Sequence, residues 1–270
     1  MARVSLNLAT IALTPFPRQL QVARETGFAG VGLWFTQLER MLAAGAATLP
    51  TVASALRQQN LAVAELCNVK GWMFTQDRRA QAAALERVKG ASRLAEFLGA
   101  RCLVAVAANT SGSLEAAASD FREVCQAAKP FGCRVGLEWD GHGETVRDLA
   151  TAWEVVSRAD MPNGGLVVDT FHFFLGRSHV STLADIPADR IYLVQVSDCV
   201  DLPPSQLSDA DRVLPGSGSI PLPGIIAALH GIGYNGWWSL ELHNEQYWRE
   251  QPFLVAQDGW NALRRLDIIR

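Results

Sequence analysis

Short runs of apolar residues alternate along the whole chain with segments of helical periodicity. Eight such pairs can be counted, and Gly, Pro, Asn and Asp residues typical of turns separate them. The segment Arg78–Leu98 is the clearest predicted helix, because its apolar residues recur every three or four positions. The eight runs are residues 4–9, 30–35, 61–67, 102–107, 135–139, 166–169, 191–197 and 237–242.

Two connections depart from this regular alternation. A Phe-rich segment after Asp169 is predicted to be a loop, and a Pro- and Ser-rich stretch over residues 202–223 is predicted to be a long connection before the last pair. Long loops of this kind are often functional.

Strands that alternate with helices predict a parallel sheet, because each crossover returns the chain to the same end of the sheet. Eight pairs in 270 residues favour the α/β class and a single (β/α)₈ TIM barrel of eight parallel strands. A doubly wound sheet is the weaker alternative, since no G-x-G-x-x-G follows the first run and no Walker sequence occurs. No linker or repeat divides the chain, so one domain over residues 1–270 is predicted.

Composition and charge limit the classes of partner and the compartment that we expect for this protein. Apolar residues make up 49% of the chain, enough for a sizeable core, and the net charge of −3 lacks the basic surplus of a nucleic-acid-binding protein. No apolar run is long enough for a membrane span, and the N-terminus lacks the order of a signal peptide, so the expected compartment is the cytoplasm. Five scattered cysteines suggest neither disulfides nor a zinc knuckle. The chain is also compatible with a homo-oligomer.

Four successive runs carry an oxygen ligand near their ends. Glu138, Asp169, Gln195 and Glu241 belong to predicted strands five to eight, and the active site of a parallel barrel lies at the C-terminal strand ends. Three carboxylates and an amide oxygen, without a thiol, favour Mn²⁺ or Mg²⁺ over structural zinc. The alternative is that each carboxylate caps a helix or pairs with an arginine.

Other polar and aromatic residues at the same predicted end could contact a substrate. One histidine follows Asp169 by three residues, another lies two residues beyond Glu241, and an arginine in the long seventh loop could hold a hydroxyl, carboxylate or phosphate from above. For the arginine a solvated side chain is the alternative, and for a tryptophan it is core packing. The candidate substrate-binding residues are His172, Arg212, Trp72, Lys70 and His243.

Several motifs together resemble one known family. They are the Glu of Gly136-Leu137-Glu138-Trp139, the D-x-x-H that begins at Asp169, the V-Q-x-S-D of the seventh strand, the R-x-x-P-G-x-G that begins at Arg212, and the final S-L-E. They resemble the xylose isomerase-like barrels, which include sugar isomerases and epimerases, inosose-processing enzymes, hydroxypyruvate isomerase and endonuclease IV. Many members have a His where this chain has Gln195, whereas hydroxypyruvate isomerases are similar to this chain in having Gln.

The resemblance implies a divalent-metal-dependent isomerase or epimerase of a small polyhydroxy carbonyl compound. The metal would stabilise an enediolate, and Glu138 and Glu241 would exchange the proton from opposite sides of the substrate. His172 and Arg212 would orient the substrate. Zinc or cobalt remain alternatives to manganese and magnesium.

Two other functions remain open. One is a metal-dependent dehydratase of the inosose or 3-dehydroshikimate type, in which the same enolate expels a β-hydroxyl group as water. The other is a non-catalytic barrel that has lost its metal, against which the three retained carboxylates argue.

Overall fold

Eight parallel strands close into a barrel in the computed structural model, which describes residues 3–269. Each strand pairs with its neighbours in sequence, and the last strand pairs with the first. The predicted (β/α)₈ TIM barrel is therefore confirmed. The barrel strands, labelled β1 to β8, are Arg3–Asn7, Gly30–Trp34, Ala62–Val69, Leu103–Val106, Val135–Glu138, Gly164–Asp169, Ile191–Val196 and Trp237–Leu240.

Ten α-helices surround the barrel or extend its loops within the described residues. The long predicted helix has the predicted bounds, because the Asp77 side chain accepts hydrogen bonds from the first backbone N–H groups and Gly99 ends it in the left-handed conformation at φ 67°. The helices, labelled α1 to α10, are Phe16–Glu25, Phe35–Ala43, Leu49–Gln58, Arg78–Leu98, Leu114–Ala128, Leu149–Ala159, Thr170–Leu175, Leu222–Gly231, Glu245–Arg249 and Pro252–Arg265.

The structure corrects the predicted loop after Asp169. Residues Thr170–Leu175 form α7, which begins at once because an Asp169 carboxylate oxygen accepts a hydrogen bond from the N–H of Phe171. A helix of six residues is too short to display a clear apolar period. The long connection after β7 also contains structure, since Asp198–Cys199 pairs antiparallel with Arg212–Val213.

Two glycines of β2 lack side chains where larger side chains from neighbouring strands fill the barrel interior. A Cβ at Gly32 would overlap the side chains of Glu65 and Asn7, and a Cβ at Gly30 would overlap the ring of Trp237. The barrel therefore encloses a polar cluster near its C-terminal end and an aromatic ring near its N-terminal end.

Two further observations concern the cysteines and the helices. All five cysteines are free and buried, as expected for small apolar residues. No helix between residues 3 and 269 is long and apolar enough to cross a membrane.

Candidate active site

The four predicted ligands lie at the C-terminal end of the barrel, and the group whose ligand atoms lie within 4.8 Å of one another contains Glu138, Asp169 and His172 but not Glu241. Glu138 and Asp169 are the last residues of β5 and β6, Gln195 lies opposite Asp169 in the strand register, and Glu241 directly follows β8. Their exposed fractions are 6%, 0%, 0% and 2%, respectively. Burying three carboxylates and an amide together is costly unless something compensates the charge.

The Gln195 Oε1 oxygen of this cluster has no hydrogen-bond donor among the described residues. Asp169 is different, because its Oδ2 forms an ion pair with Arg212 Nη2 at 2.7 Å and its Oδ1 accepts the hydrogen bond that begins α7. Buried polar atoms are nearly always paired. An unpaired amide oxygen at the same end as three buried carboxylates fits the oxygen ligands of a divalent cation.

A hydrogen bond to a residue on the opposite side of the barrel orients the Gln195 amide. Its Nε2 donates to Glu65 Oε2 at 3.1 Å, and β3 and β7 lie on opposite sides of the barrel. Because the nitrogen faces Glu65, the oxygen is the atom left for a cation. Glu65 also accepts hydrogen bonds from Ser239 Oγ at 2.5 Å and Asn7 Nδ2 at 3.0 Å.

Asn7 connects Glu65 to the Glu241 carboxylate. Its Nδ2 also donates to Glu241 Oε1 at 2.8 Å, while its Oδ1 accepts from Trp34 Nε1 at 2.7 Å. Burial, and then the neighbouring charge of Glu241, raise the pKa of Glu65 to about 8. A divalent cation among these carboxylates would oppose that shift, because it favours their charged forms.

Glu138 is the carboxylate with the fewest constraints in the cluster. Its Oε1 lies 3.8 Å from His172 Nε2, which is longer than a hydrogen bond. Burial raises the pKa of Glu138 well above its usual range, and the charges of Glu241 and Asp169 add to the effect. A buried carboxylate of raised pKa is a stronger base than an exposed one, which suits proton abstraction.

His172 is set up as a hydrogen-bond donor. The N–H of Gly141 donates to its Nδ1 at 3.2 Å, and burial lowers the pKa of the ring, so the neutral ring carries its hydrogen on Nε2. Its Nε2 also lies 4.0 Å from Asp169 Oδ2, and potential ligand atoms of Glu138, Asp169 and His172 lie within 4.8 Å of one another. With hydrogen on Nε2, His172 can donate to a substrate oxygen rather than bind a cation through that atom.

Arg212 is buried rather than solvated, with an exposed fraction of 1%. Besides its ion pair with Asp169, its Nη2 lies 2.9 Å from Asp209 Oδ1, and its guanidinium stacks 4.4 Å from the centroid of the Phe171 ring. The expectation that Arg212 extends from a long loop above the substrate therefore needs correction. The short ladder between residues 198–199 and 212–213 holds it beneath the surface, against a candidate metal ligand.

The other three candidate substrate-binding residues lie in different surroundings. Lys70 is exposed, and its charge acts on Glu138 in the direction that lowers the pKa of that carboxyl. His243 Nε2 lies 3.6 Å from Glu241 Oε1, beside a cavity of about 460 Å³ that Trp34 also lines. Trp72 is fully buried and packs 5.9 Å from Phe121 of α5, so the structure assigns it to the core instead of bringing it into the carboxylate cluster.

Sequence reasoning missed Glu65 and Asn7. Glu65 is the only charged residue in the third apolar run, and an acid at the centre of a buried strand is a usable signal. Asn7 offers a weaker signal, because a single amide in a strand is compatible with an edge or a turn. The sequence could not reveal that both residues contact a ligand from another strand, since 130 residues separate Glu65 from Gln195.

Comparison with known proteins assigns the chain to a family. A family model described as xylose isomerase-like TIM barrel matches residues 20–266. Inosose isomerase of Bacillus subtilis (strain 168) is 30% identical over 187 residues, which are 67% of this chain and 66% of that protein. The 3-dehydroshikimate dehydratase of Pseudomonas aeruginosa is 32% identical over 188 residues, which are 68% of this chain and 30% of that protein. The chain thus spans 66% or less of the length of these two relatives.

A solved structure shows how fully the fold is shared. The IolI protein, crystallised with a zinc atom, matches 98% of this chain and 98% of its own length with a TM-score of 0.91. Its sequence identity is 23%, so this likeness shows the fold alone. The family model, in contrast, matches nearly the whole sequence, and the chain therefore belongs to the xylose isomerase-like TIM barrel family.

Proposed function

We propose that this protein is a divalent-metal-dependent isomerase or epimerase of a small polyhydroxy carbonyl compound. The observation that carries the proposal is the unpaired, buried amide oxygen of Gln195 at the barrel end where the buried carboxylates of Glu138, Asp169 and Glu241 also lie. Similarity to the Bacillus subtilis inosose isomerase supports the isomerase class.

The chain's own residues supply the groups that such a reaction needs. A divalent cation held by Glu138, Asp169, Gln195 and Glu241 would act as a Lewis acid and lower the pKa of a C–H group next to the substrate carbonyl. Glu138, the least constrained carboxylate of the cluster, would be held in its charged form by the cation and would accept that proton. His172 donates from Nε2 to the substrate oxygen on which negative charge develops.

Glu241 is the candidate to return the proton from the other side. Asn7 holds one of its oxygens, which fixes the carboxylate while its charge still acts on Glu138. Return of the proton to the same carbon from the opposite face gives an epimer, and return to the neighbouring carbon gives an isomer. Lys70 and His243, at the edge of the cluster, are the residues that would contact the remaining hydroxyl groups.

The proposed donor set favours manganese or magnesium, because the side chains of Glu138, Asp169, Gln195 and Glu241 all offer oxygens and the neighbouring His172 is oriented as a donor. The zinc atom in the IolI structure keeps zinc, and with it cobalt, among the candidates.

A dehydratase is the second candidate, favoured by the similarity to the Pseudomonas aeruginosa 3-dehydroshikimate dehydratase. Its first step is the same proton abstraction, after which a β-hydroxyl group leaves as water. Because both reactions use the same base, the product distinguishes them.

The metal proposal is tested by elemental analysis of purified protein. We expect about one divalent ion per chain in the wild type, and the loss of most of that ion in Asp169→Ala. Equal metal content in the two proteins would remove the proposed site.

The reaction is tested with ketoses, inososes, hydroxypyruvate and 3-dehydroshikimate in D₂O, followed by NMR. An isomeric product, with or without deuterium at the carbon next to the carbonyl, supports the isomerase or epimerase. A product lacking the elements of water identifies the dehydratase, and no turnover of any compound by the metal-loaded protein favours a non-catalytic barrel.

A further inference from the structure

The opposite end of the barrel, where the strands begin, contains a second cavity of about 740 Å³. Four arginines line this basal cavity, namely Arg3, Arg101, Arg134 and Arg190, and they come from the N-terminal ends of different strands. It shares no lining residue with the carboxylate cluster, which lies at the C-terminal ends.

The charge of the basal cavity contrasts with that of the chain. Its four arginines face a single acidic lining residue, Asp189, which leaves a local excess of three positive charges in a protein of net charge −3. Within residues 3–269, no carboxylate oxygen lies within 4.0 Å of these four guanidinium groups. Their charges are therefore not neutralised by the fold.

Two of the guanidinium groups are held in place by the floor of the cavity. Arg3 Nη2 donates to the carbonyl of Asn235 at 2.7 Å, and its Cζ lies 5.7 Å from the centroid of the Trp237 ring. Arg134 Cζ lies 5.2 Å from the centroid of the Tyr192 ring, and the Tyr192 hydroxyl donates to the carbonyl of Gly164 at 2.9 Å. The rings are 6% and 8% exposed, so they form a rigid base beneath the two cations.

These features define the ligand chemistry. Each guanidinium has five N–H donors and can form paired bonds to phosphate or carboxylate oxygens, and most of these donors are free in the basal cavity. A volume of about 740 Å³ lies within the range of small-molecule sites. We propose that the basal cavity binds a small polyanion, a phosphorylated or multiply carboxylated metabolite, at a site separate from the candidate active site.

Isothermal titration calorimetry with pyrophosphate tests the proposal, and citrate is the carboxylate probe. The titrations use Asp169→Ala protein treated with EDTA and then dialysed free of it, so that neither a metal at the other end of the barrel nor the chelator competes for the probe. We expect saturable binding of at least one probe at low salt, weakened by added NaCl because the groups are exposed. The stronger probe identifies phosphate or carboxylate as the preferred group.

Matched arginine variants in the same background locate the site. Arg134→Ala and, separately, Arg101→Ala should weaken binding by about 10- to 100-fold, as expected for loss of a charge-assisted hydrogen bond. Arg264→Ala, on the exposed last turn of α10, should leave the affinity unchanged. Arg101 makes no side-chain hydrogen bond to another described residue, so its variant reports binding without disturbing a fold contact.

Three results would overturn the proposal. The first is that neither probe binds saturably. The second is that Arg101→Ala and Arg264→Ala bind the probe with equal affinity. The third is that the wild type binds the probe but Asp169→Ala does not. A fourth such result would come from sedimentation velocity. If the wild type is a dimer and Arg101→Ala is a monomer, the basal cavity is a contact with a second copy of the chain instead of a ligand site.

Discussion

The charged side chains at the two ends of the barrel differ in sign and in how far they are buried. At the C-terminal end, Glu65, Glu138, Asp169 and Glu241 are at most 6% exposed, and burial raises the pKa of Glu65 and Glu138. At the N-terminal end, most of the arginines of the basal cavity remain exposed, although two of them lie over aromatic rings. Buried charges that lie close together lower the stability of the folded state and have altered pKa values that suit proton transfer. Solvent-exposed charges have little effect on stability and remain available to bind a ligand.

The largest expected effect is on turnover. Glu138→Gln keeps the shape and an oxygen ligand but removes the base, so turnover of the substrate found by the NMR panel should fall by about 10² to 10⁴-fold. Metal content should partly survive, as measured by elemental analysis. The exposed Glu144→Gln is the control and should retain wild-type turnover. Normal turnover in Glu138→Gln would exclude Glu138 as the base.

The ion pair between Arg212 and Asp169 tests the cost of buried charge. Arg212→Ala leaves the fully buried Asp169 carboxylate without its cation, so the metal-free protein should lose about 3 kcal/mol of unfolding free energy. Urea denaturation in EDTA measures this loss. The double variant with Asp169→Ala should be more stable than Arg212→Ala alone, because the unpaired charge is gone. A change within about 0.5 kcal/mol in Arg212→Ala would place this arginine in the same class as ordinary surface residues.

The hydrogen bond from Gln195 to Glu65 predicts an effect on metal affinity. Glu65→Ala frees the Gln195 amide to rotate and removes one of the partners of Asn7, so metal affinity should fall by about 10- to 100-fold, as for loss of other partners that orient ligands. Competition with a chromophoric chelator measures this affinity without a substrate. Glu144→Ala is the matched control. An unchanged affinity in Glu65→Ala would mean that the other ligands alone orient Gln195.

The buried carboxylates also predict a pH dependence of stability in the metal-free protein, which is small for each pH unit. The folded state raises the pKa of Glu65 from 4.5 to about 8, so between these values it binds more protons than the unfolded chain. Stability should therefore fall as pH rises through this window, by at most about 1.4 kcal/mol per pH unit for one group. Glu138 adds a contribution of the same sign.

Urea denaturation in EDTA between pH 5 and 8 measures this slope. Glu65→Gln should flatten the slope, whereas Arg101→Ala at the other end of the barrel should leave it unchanged. A wild-type stability that rises across this range would show that the buried carboxylates are already charged at pH 5.

The sequence predicted elements best where local chemistry determines them. Residues Arg78–Leu98 have the predicted bounds, because the segment has a regular apolar period and is flanked directly by the capping Asp77 and the terminal Gly99. Helix α7 was predicted wrongly as a loop, since its start depends on Asp169, a residue that also ends a strand. The position of Trp72 could not be predicted from the sequence either, because its packing partner Phe121 lies on a helix 49 positions further along the chain.

By itself, the sequence determined the (β/α)₈ barrel and the position of Glu138, Asp169, Gln195 and Glu241 at one end of it, because parallel strands bring their C-terminal ends to one side of the sheet. Only the tertiary structure decided which atoms of these residues are free. The amide of Gln195 is oriented by Glu65 across the barrel, Asp169 is paired with a buried Arg212, and the four basal arginines gather from distant segments. Such contacts depend on barrel closure, and a one-dimensional pattern records which strand a residue occupies but not which side chain it faces.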